Sequence, residues 1–351
     1  MYSNEPAHSA ADLSARAPQA RRAGWWSAEP RWAVLAPVAV AHVWTMTWLA
    51  WTIEPAGQRN PRLAELGLGA SLGWACLAAV GVVVGGATLA AVPRRMRRDD
   101  RETGTPAEAR RSAGCLRGCF VTLVVGVGGT TLGLVAAGTL GPASGLLAAA
   151  TAAGMVFYPL AGRFFPAVAV VGTGLWHALV MAVPNPLLGF AWPVVLNLTH
   201  VIGVSAITRV HGFDRPRLTA RGGWGVCLGW VFLSLLLVGG MTARGTGAVP
   251  GVGGDVGRWI WLPPAVVAAV FVAALGVALR GGDGRREAAR RLGRIGTRWL
   301  ILYDAAWLIG AGLWWPAATV VALAAVSIVL PWAGRRLTSG RPAASPGYQL
   351  P

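Results

Sequence analysis

The sequence contains no lysine. All 31 basic residues are arginine, and arginine carries the positive charge in lysine's place, so that absence has no functional weight. Charge of either sign is scarce. Only 13% of residues are charged against 54% hydrophobic, about half the charged share of an ordinary soluble domain, and this is a membrane composition. Four cysteines give no disulfide framework. Cys115 and Cys119 share a helix face at the start of an apolar run, but no suitably placed His or Cys accompanies them, so they are read as small packing residues. Five histidines are too few for a multi-histidine di-iron site. Neither a Gly-Lys-Ser/Thr phosphate loop, a His-Glu-x-x-His pair nor a Gly-x-Ser-x-Gly elbow occurs, and zinc protease and serine hydrolase chemistry lose their support with them. No heptad or fixed-period repeat stands out, and no signal peptide is apparent.

What is present is a succession of apolar runs, each near the roughly 20 residues that a bilayer-spanning helix needs. They fall at about 33–52, 66–92, 118–138, 142–161, 164–183, 187–208, 223–242 and 259–279, followed by one long run over 299–332. That last run holds 34 residues, about 51 Å of helix, too long for one crossing, and is split near Trp314-Trp315-Pro316. The expected fold is all-α, a polytopic transmembrane bundle of nine to ten spans. Residues 1–30 are read as a mobile cytoplasmic segment, 31–334 as the helical domain and 335–351 as a tail.

A net charge of +17 invites nucleic acid, but the arginines form no basic domain and instead sit in alternate loops. With these spans 27 lie on one side, against Arg59, Arg62, Arg244 and Arg258 on the other. The positive-inside rule puts the rich side, with the amino terminus, in the cytoplasm of a multi-pass cell-membrane protein. Attraction to anionic lipid headgroups follows, and nucleic acid is not an expected partner.

Within the spans, Trp44, Trp48 and Trp51 fall on one helical face, as an interfacial belt or an aromatic wall. Gly81 and Gly85 have the spacing that lets helix backbones approach. Ionisable residues at membrane depth single out His177, His200 and Asp304. The two histidines lie 8 and 15 residues from Asn185, or about 12 and 22 Å at helical rise, so they are expected at different depths and not in one metal or heme site. Asn197 shares a face with His200 and lines the same space. Asp304 is expected either near the surface or, if deep, facing water or paired with an arginine such as Arg298.

The arrangement resembles the UbiA superfamily of intramembrane prenyltransferases over roughly residues 30–300. The likeness is one of layout: a polar loop after the second span (Arg94 to Glu102), an uncharged hairpin of spans three and four, a Tyr-x-x-x-x-Arg element made by Tyr158 and Arg163, and a second polar loop from Arg209 to Arg221. The resemblance implies transfer or cyclisation of an isoprenoid chain from a polyprenyl diphosphate to a small or lipid acceptor. It implies Tyr158, Arg163, Asn197 and His200 as catalytic candidates and Arg209 and Arg215 on the diphosphate. Magnesium is the implied cofactor, with Asp99, Asp100, Glu102 and Asp214 standing where the family has two aspartate-rich motifs. The chain departs from those motifs, since the first three acids are displaced and Asp214 stands alone. A transporter or scaffold binding a lipid or protein partner is the alternative reading.

Overall fold

The computed structural model describes residues 31–54, 57, 59–92, 106–162, 164–211, 218–243, 259–280 and 285–339. These form eleven helices and, among the described residues, no strand. In chain order they are α1 (Arg31–Thr52), α2 (Pro61–Leu66), α3 (Leu68–Leu89), α4 (Pro106–Thr139), α5 (Pro142–Ala161), α6 (Pro166–Ala182), α7 (Trp192–His211), α8 (Ala220–Ala243), α9 (Leu262–Arg280), α10 (Arg285–Gly310) and α11 (Trp314–Ser339).

Five segments are long and apolar enough to cross a membrane: Val34–Thr52, Leu68–Leu89, Cys119–Thr139, Trp192–His211 and Ala220–Ala243. Four shorter apolar helices join them. The outside of the bundle is apolar as well, with Phe120, Leu146, Phe157, Leu228, Leu235 and Val277 exposed, which suits a hydrocarbon solvent and not water. The chain is therefore a helical membrane-protein bundle.

Local chemistry sets the breaks. Pro61, Pro142 and Pro166 stand at helix starts, where the missing N–H costs nothing. The α10–α11 break is a left-handed glycine stop: Gly312 has φ +76°, its N–H donates to the Ile309 carbonyl at 2.9 Å, and Leu313 N–H donates to the Leu308 carbonyl at 2.8 Å. The long last run thus divides at Gly312, two residues before the expected Trp-Trp-Pro. Its first helix starts at Arg285, well before Trp299, so the basic stretch is continuous with the apolar one.

Helices α3 and α4 meet backbone to backbone. A Cβ on Gly81 would stand 2.6 Å from the Gly133 nitrogen, and one on Gly133 would stand 2.5 Å from the Val82 nitrogen. Gly85 faces Thr130 and Gly126 in the same seam. The small-residue spacing read from the sequence is a real contact.

Helix α1 is the hub of the other half. It packs against α3, α6, α10 and α11, while α6 packs on α7 and α7 on α10. Consequently α1, α6, α7 and α10 close into a ring of four. The three tryptophans of α1 divide between two cores: Trp44 and Trp48 lie against the α10–α11 cluster, whereas Trp51 packs with the α3–α5 cluster and carries the Arg59 guanidinium 5.5 Å over its ring.

Candidate functional site

Three polar centres stand out among the described residues, two of them buried and one half-buried. The first lies inside the four-helix ring. Asp304 of α10 is fully buried, and His42 of α1 places Nδ1 2.6 Å from its Oδ2. The other ring nitrogen of His42, Nε2, is 3.1 Å from Nδ1 of His177 on α6. Asn197 of α7 donates its amide to the second Asp304 oxygen at 3.3 Å. Trp176 stacks on His177 with ring centroids 3.6 Å apart. The carboxylate, two imidazoles and an amide thus form one unbroken chain across four helices.

One turn further along α7, His200 places Nε2 2.9 Å from the Gly296 carbonyl and Nδ1 3.2 Å from the Tyr303 hydroxyl. A carbonyl only accepts, so Nε2 carries the proton, and in the neutral ring Nδ1 accepts from Tyr303 O–H. Since Tyr303 adjoins Asp304 and His200 is one turn from Asn197, the two sets form adjoining layers of one polar band.

The difference in depth between His177 and His200 is smaller than a tight turn at Asn185 would make it. The connection from α6 to α7 runs over 183–191 instead of turning tightly at Asn185, so His177 is 5 residues from the end of α6 and His200 is 8 from the start of α7. At helical rise those depths are about 7.5 and 12 Å. The two rings are electrostatic neighbours, each bonded to a different partner. Asp304 is deep, and its close partner is the His42 imidazole, not Arg298; an Arg298 amino group donates to the Ser327 carbonyl at 3.4 Å.

The second centre is at the end of α5. Tyr158 shares a hydroxyl–hydroxyl hydrogen bond with Thr173 of α6, and the Arg209 guanidinium of α7 approaches the same helix end, close enough to act electrostatically on the phenol. Thr173 lies 3.0 Å from the Ala169 carbonyl, which can take its one proton. Tyr158 and Arg209 therefore meet although 51 residues separate them. Arg209 is nine residues beyond His200 on α7, about 13.5 Å along the helix, so the four expected catalytic residues do not form one group. Asn197 and His200 belong to the polar band and Tyr158 to this helix-end centre. Arg163, Arg215, Asp99, Asp100, Glu102 and Asp214 lie outside the described residues, as do the amino-terminal segment 1–30 and the residues from 340 onward.

The third centre ties the connections at the opposite helix ends. The Glu54 carboxylate, beyond the end of α1, accepts the Phe190 N–H at 2.9 Å and the Asn185 amide. Burial raises Glu54 to about 7, opposed by the Phe190 N–H, the Arg59 charge and the Asn185 amide. Asn60 donates to the Leu140 carbonyl at 2.7 Å and the Pro184 carbonyl at 3.1 Å, while its own oxygen accepts from Arg62 N–H at 3.2 Å.

His42 and Glu54 were not singled out from sequence. An ionisable residue halfway along the first apolar run is the signal that marks His42; Glu54, just past the run's end, carries no comparable mark. Among the described residues no group of three or more His, Cys, Asp or Glu side chains is able to hold a metal ion. No protein-family model, curated protein or solved structure matches this chain.

Proposed function

We propose that the chain is a divergent UbiA-like prenyltransferase of nine to ten spans in the cell membrane, with a cytoplasmic amino terminus, which transfers or cyclises an isoprenoid chain. The supporting observation is the meeting of Tyr158 with Arg209. The resemblance gives the Tyr158 to Arg163 element a catalytic role and the polar loop that begins at Arg209 the diphosphate, and the first residues of the two parts converge. A guanidinium is suited to phosphate because it stays charged and presents several donors in a plane.

In this reading the diphosphate head sits at the Arg209 end, with Arg163 and Arg215 adding charge, and the prenyl tail lies among apolar helices. The bond from the prenyl carbon to the diphosphate oxygen breaks, the diphosphate leaves with the electron pair, and Arg209 offsets its charge. The prenyl carbon then bonds to a nucleophilic atom of the acceptor or to a double bond of its own chain, shielded from water, and the resulting cation gives up one proton to the departed diphosphate. Magnesium on Asp99, Asp100, Glu102 and Asp214 belongs to the same proposal. The described residues alone do not fit that ion, so no step is derived through it.

The test is thermal unfolding of the purified protein with a series of polyprenyl diphosphates, with magnesium and with chelator, because a ligand of the native state raises apparent stability. The expected result is a diphosphate-dependent shift that Arg209→Gln weakens about ten- to a hundredfold in affinity, the span of a charge-assisted hydrogen bond. Folded protein that shows no shift at any chain length overturns this reading in favour of a carrier or scaffold.

A further inference from the structure

Six buried polar atoms on three helices of the four-helix ring have no hydrogen-bond partner: the indole nitrogens of Trp44, Trp48, Trp192 and Trp307, the Thr45 hydroxyl and the Asn197 carbonyl oxygen. The same helices carry His42, Asn197 and Asp304. These atoms are closed to water, so the site has no room beside them for an organic ligand. A proton needs no room.

We propose that Asp304, His42 and His177 form an intramembrane proton-exchange site, which takes up and releases one proton along a preformed hydrogen-bonded chain. The heavy atoms are already in place for both states. In the deprotonated state Asp304 is a carboxylate, His42 donates Nδ1–H to it, and Nε2 of His42 accepts Nδ1–H of His177. A proton arriving at Nε2 of His177 lets its Nδ1 proton pass to Nε2 of His42, and the Nδ1 proton of His42 pass to Asp304. Both imidazoles end neutral in the other tautomer, and Asp304 ends as the acid. Each imidazole gains one proton and loses one, Asp304 gains one, so one proton is added overall and the chain goes from one negative charge to none. Release is the same sequence reversed.

Distances of 2.6 and 3.1 Å suit both states. The Asn197 amide on the other Asp304 oxygen holds the carboxyl plane in either state. The surroundings are fixed: from α7 come Asn197 and His200, from α6 His177 and Met181, from α10 Tyr303, and α10's Arg298 is turned to the Ser327 carbonyl of α11. His200 donates Nε2–H to the Gly296 carbonyl and is bonded to Tyr303 through Nδ1, so it stands outside the chain that ends on Asp304. Intramembrane carboxyl–histidine chains are the usual material of proton relays.

This inference stands apart from the prenyl-transfer reading, and its test needs no diphosphate. Full-length protein in nanodiscs, carrying Glu54→Gln to remove the other carboxyl that is buried among the described residues and an isotope label on aspartate side-chain carboxyls, is titrated by infrared difference spectroscopy over about pH 5 to 9, where ordinary aspartates stay ionised. The expected result is one aspartic-acid carbonyl band that appears as pH falls, is absent from Asp304→Asn, and shifts its midpoint by about one pH unit or more in His177→Gln. If Asp304→Asn does not fold, the labelled parent and His177→Gln decide. A band constant across the range, no band at all, or a midpoint indifferent to folded His177→Gln overturns the proposal.

Discussion

Glu54 is the residue whose environment has the plainest consequence for pH. Its carboxyl is 3% exposed and is raised from 4.5 to about 7 by burial. Because the folded value lies above the unfolded one, the native state holds the extra proton. Stability from this group is therefore complete below about pH 4.5 and falls as pH rises through about 7, by about 3 kcal/mol in all. Glutamine keeps an acceptor for the Phe190 N–H and has no charge to bury. The difference in melting temperature between Glu54→Gln and the parent should thus widen from pH 5 to pH 8 in favour of the variant. A constant difference would mean that the carboxyl does not titrate in the folded protein.

At the residue scale the sequence was informative where it could be judged alone. His177, His200 and Asp304 all occupy buried, hydrogen-bonded positions, and their ionisable type at membrane depth was the reason to single them out. Pairing was not legible. His42 finds His177 across 135 residues and Asp304 across 262, separations at which no local periodicity carries information, so the nearest cation in sequence, Arg298, was the natural expectation for Asp304. The same limit hid the Glu54 contact with Asn185, 131 residues away.

Elements were more legible than pairs, because length and composition decide a membrane helix nearly alone. Each apolar run lies in a helix, most ends are displaced by a few residues, and α4 and α10 begin more than ten residues early because their basic stretches are helical too; the other errors have local causes. Gly312 stopped α10 before Trp314 did, and the connection over 183–191 consumed residues that had been counted as helix, which invalidated the depth estimate for His200. The Gly81 and Gly85 spacing was legible because small residues at that interval have one main use within a membrane. Its energetic weight is testable by position. Gly128 lies on α4 with nothing near its would-be Cβ, whereas that of Gly81 would collide with the backbone around Gly133. Gly128→Ala should be neutral or gain up to about 1 kcal/mol from helix propensity. Gly81→Ala must separate two helices and should cost about 1–3 kcal/mol. Equal melting temperatures for the two variants would mean that the seam is not under compression.

On the scale of the whole molecule, two halves of the bundle, one built on the α3–α4 seam and one on the four-helix ring, share α1. Beyond its end, Asn60 and Glu54 join the connections of both halves. Asn60 links the α4–α5 turn at Leu140 to the α6–α7 connection at Pro184, and Glu54 holds that same connection through Asn185 and Phe190. Asn60 also caps α2 through its oxygen. These roles separate in Asn60→Asp, which keeps the cap acceptor and even favours it electrostatically, but replaces the two donated hydrogen bonds with a carboxylate facing two carbonyl oxygens. If capping were the main role, Asn60→Asp would be as stable as the parent. If the tie matters more, the variant loses about 2–4 kcal/mol, two lost donations with their acceptors left buried. Hydrogen exchange should then quicken at 140–142 and 184–191 together while α2 keeps its protection. Quickening confined to α2 would reverse the assignment and leave the two halves joined by helix packing alone, through α1 and through α5 on α6.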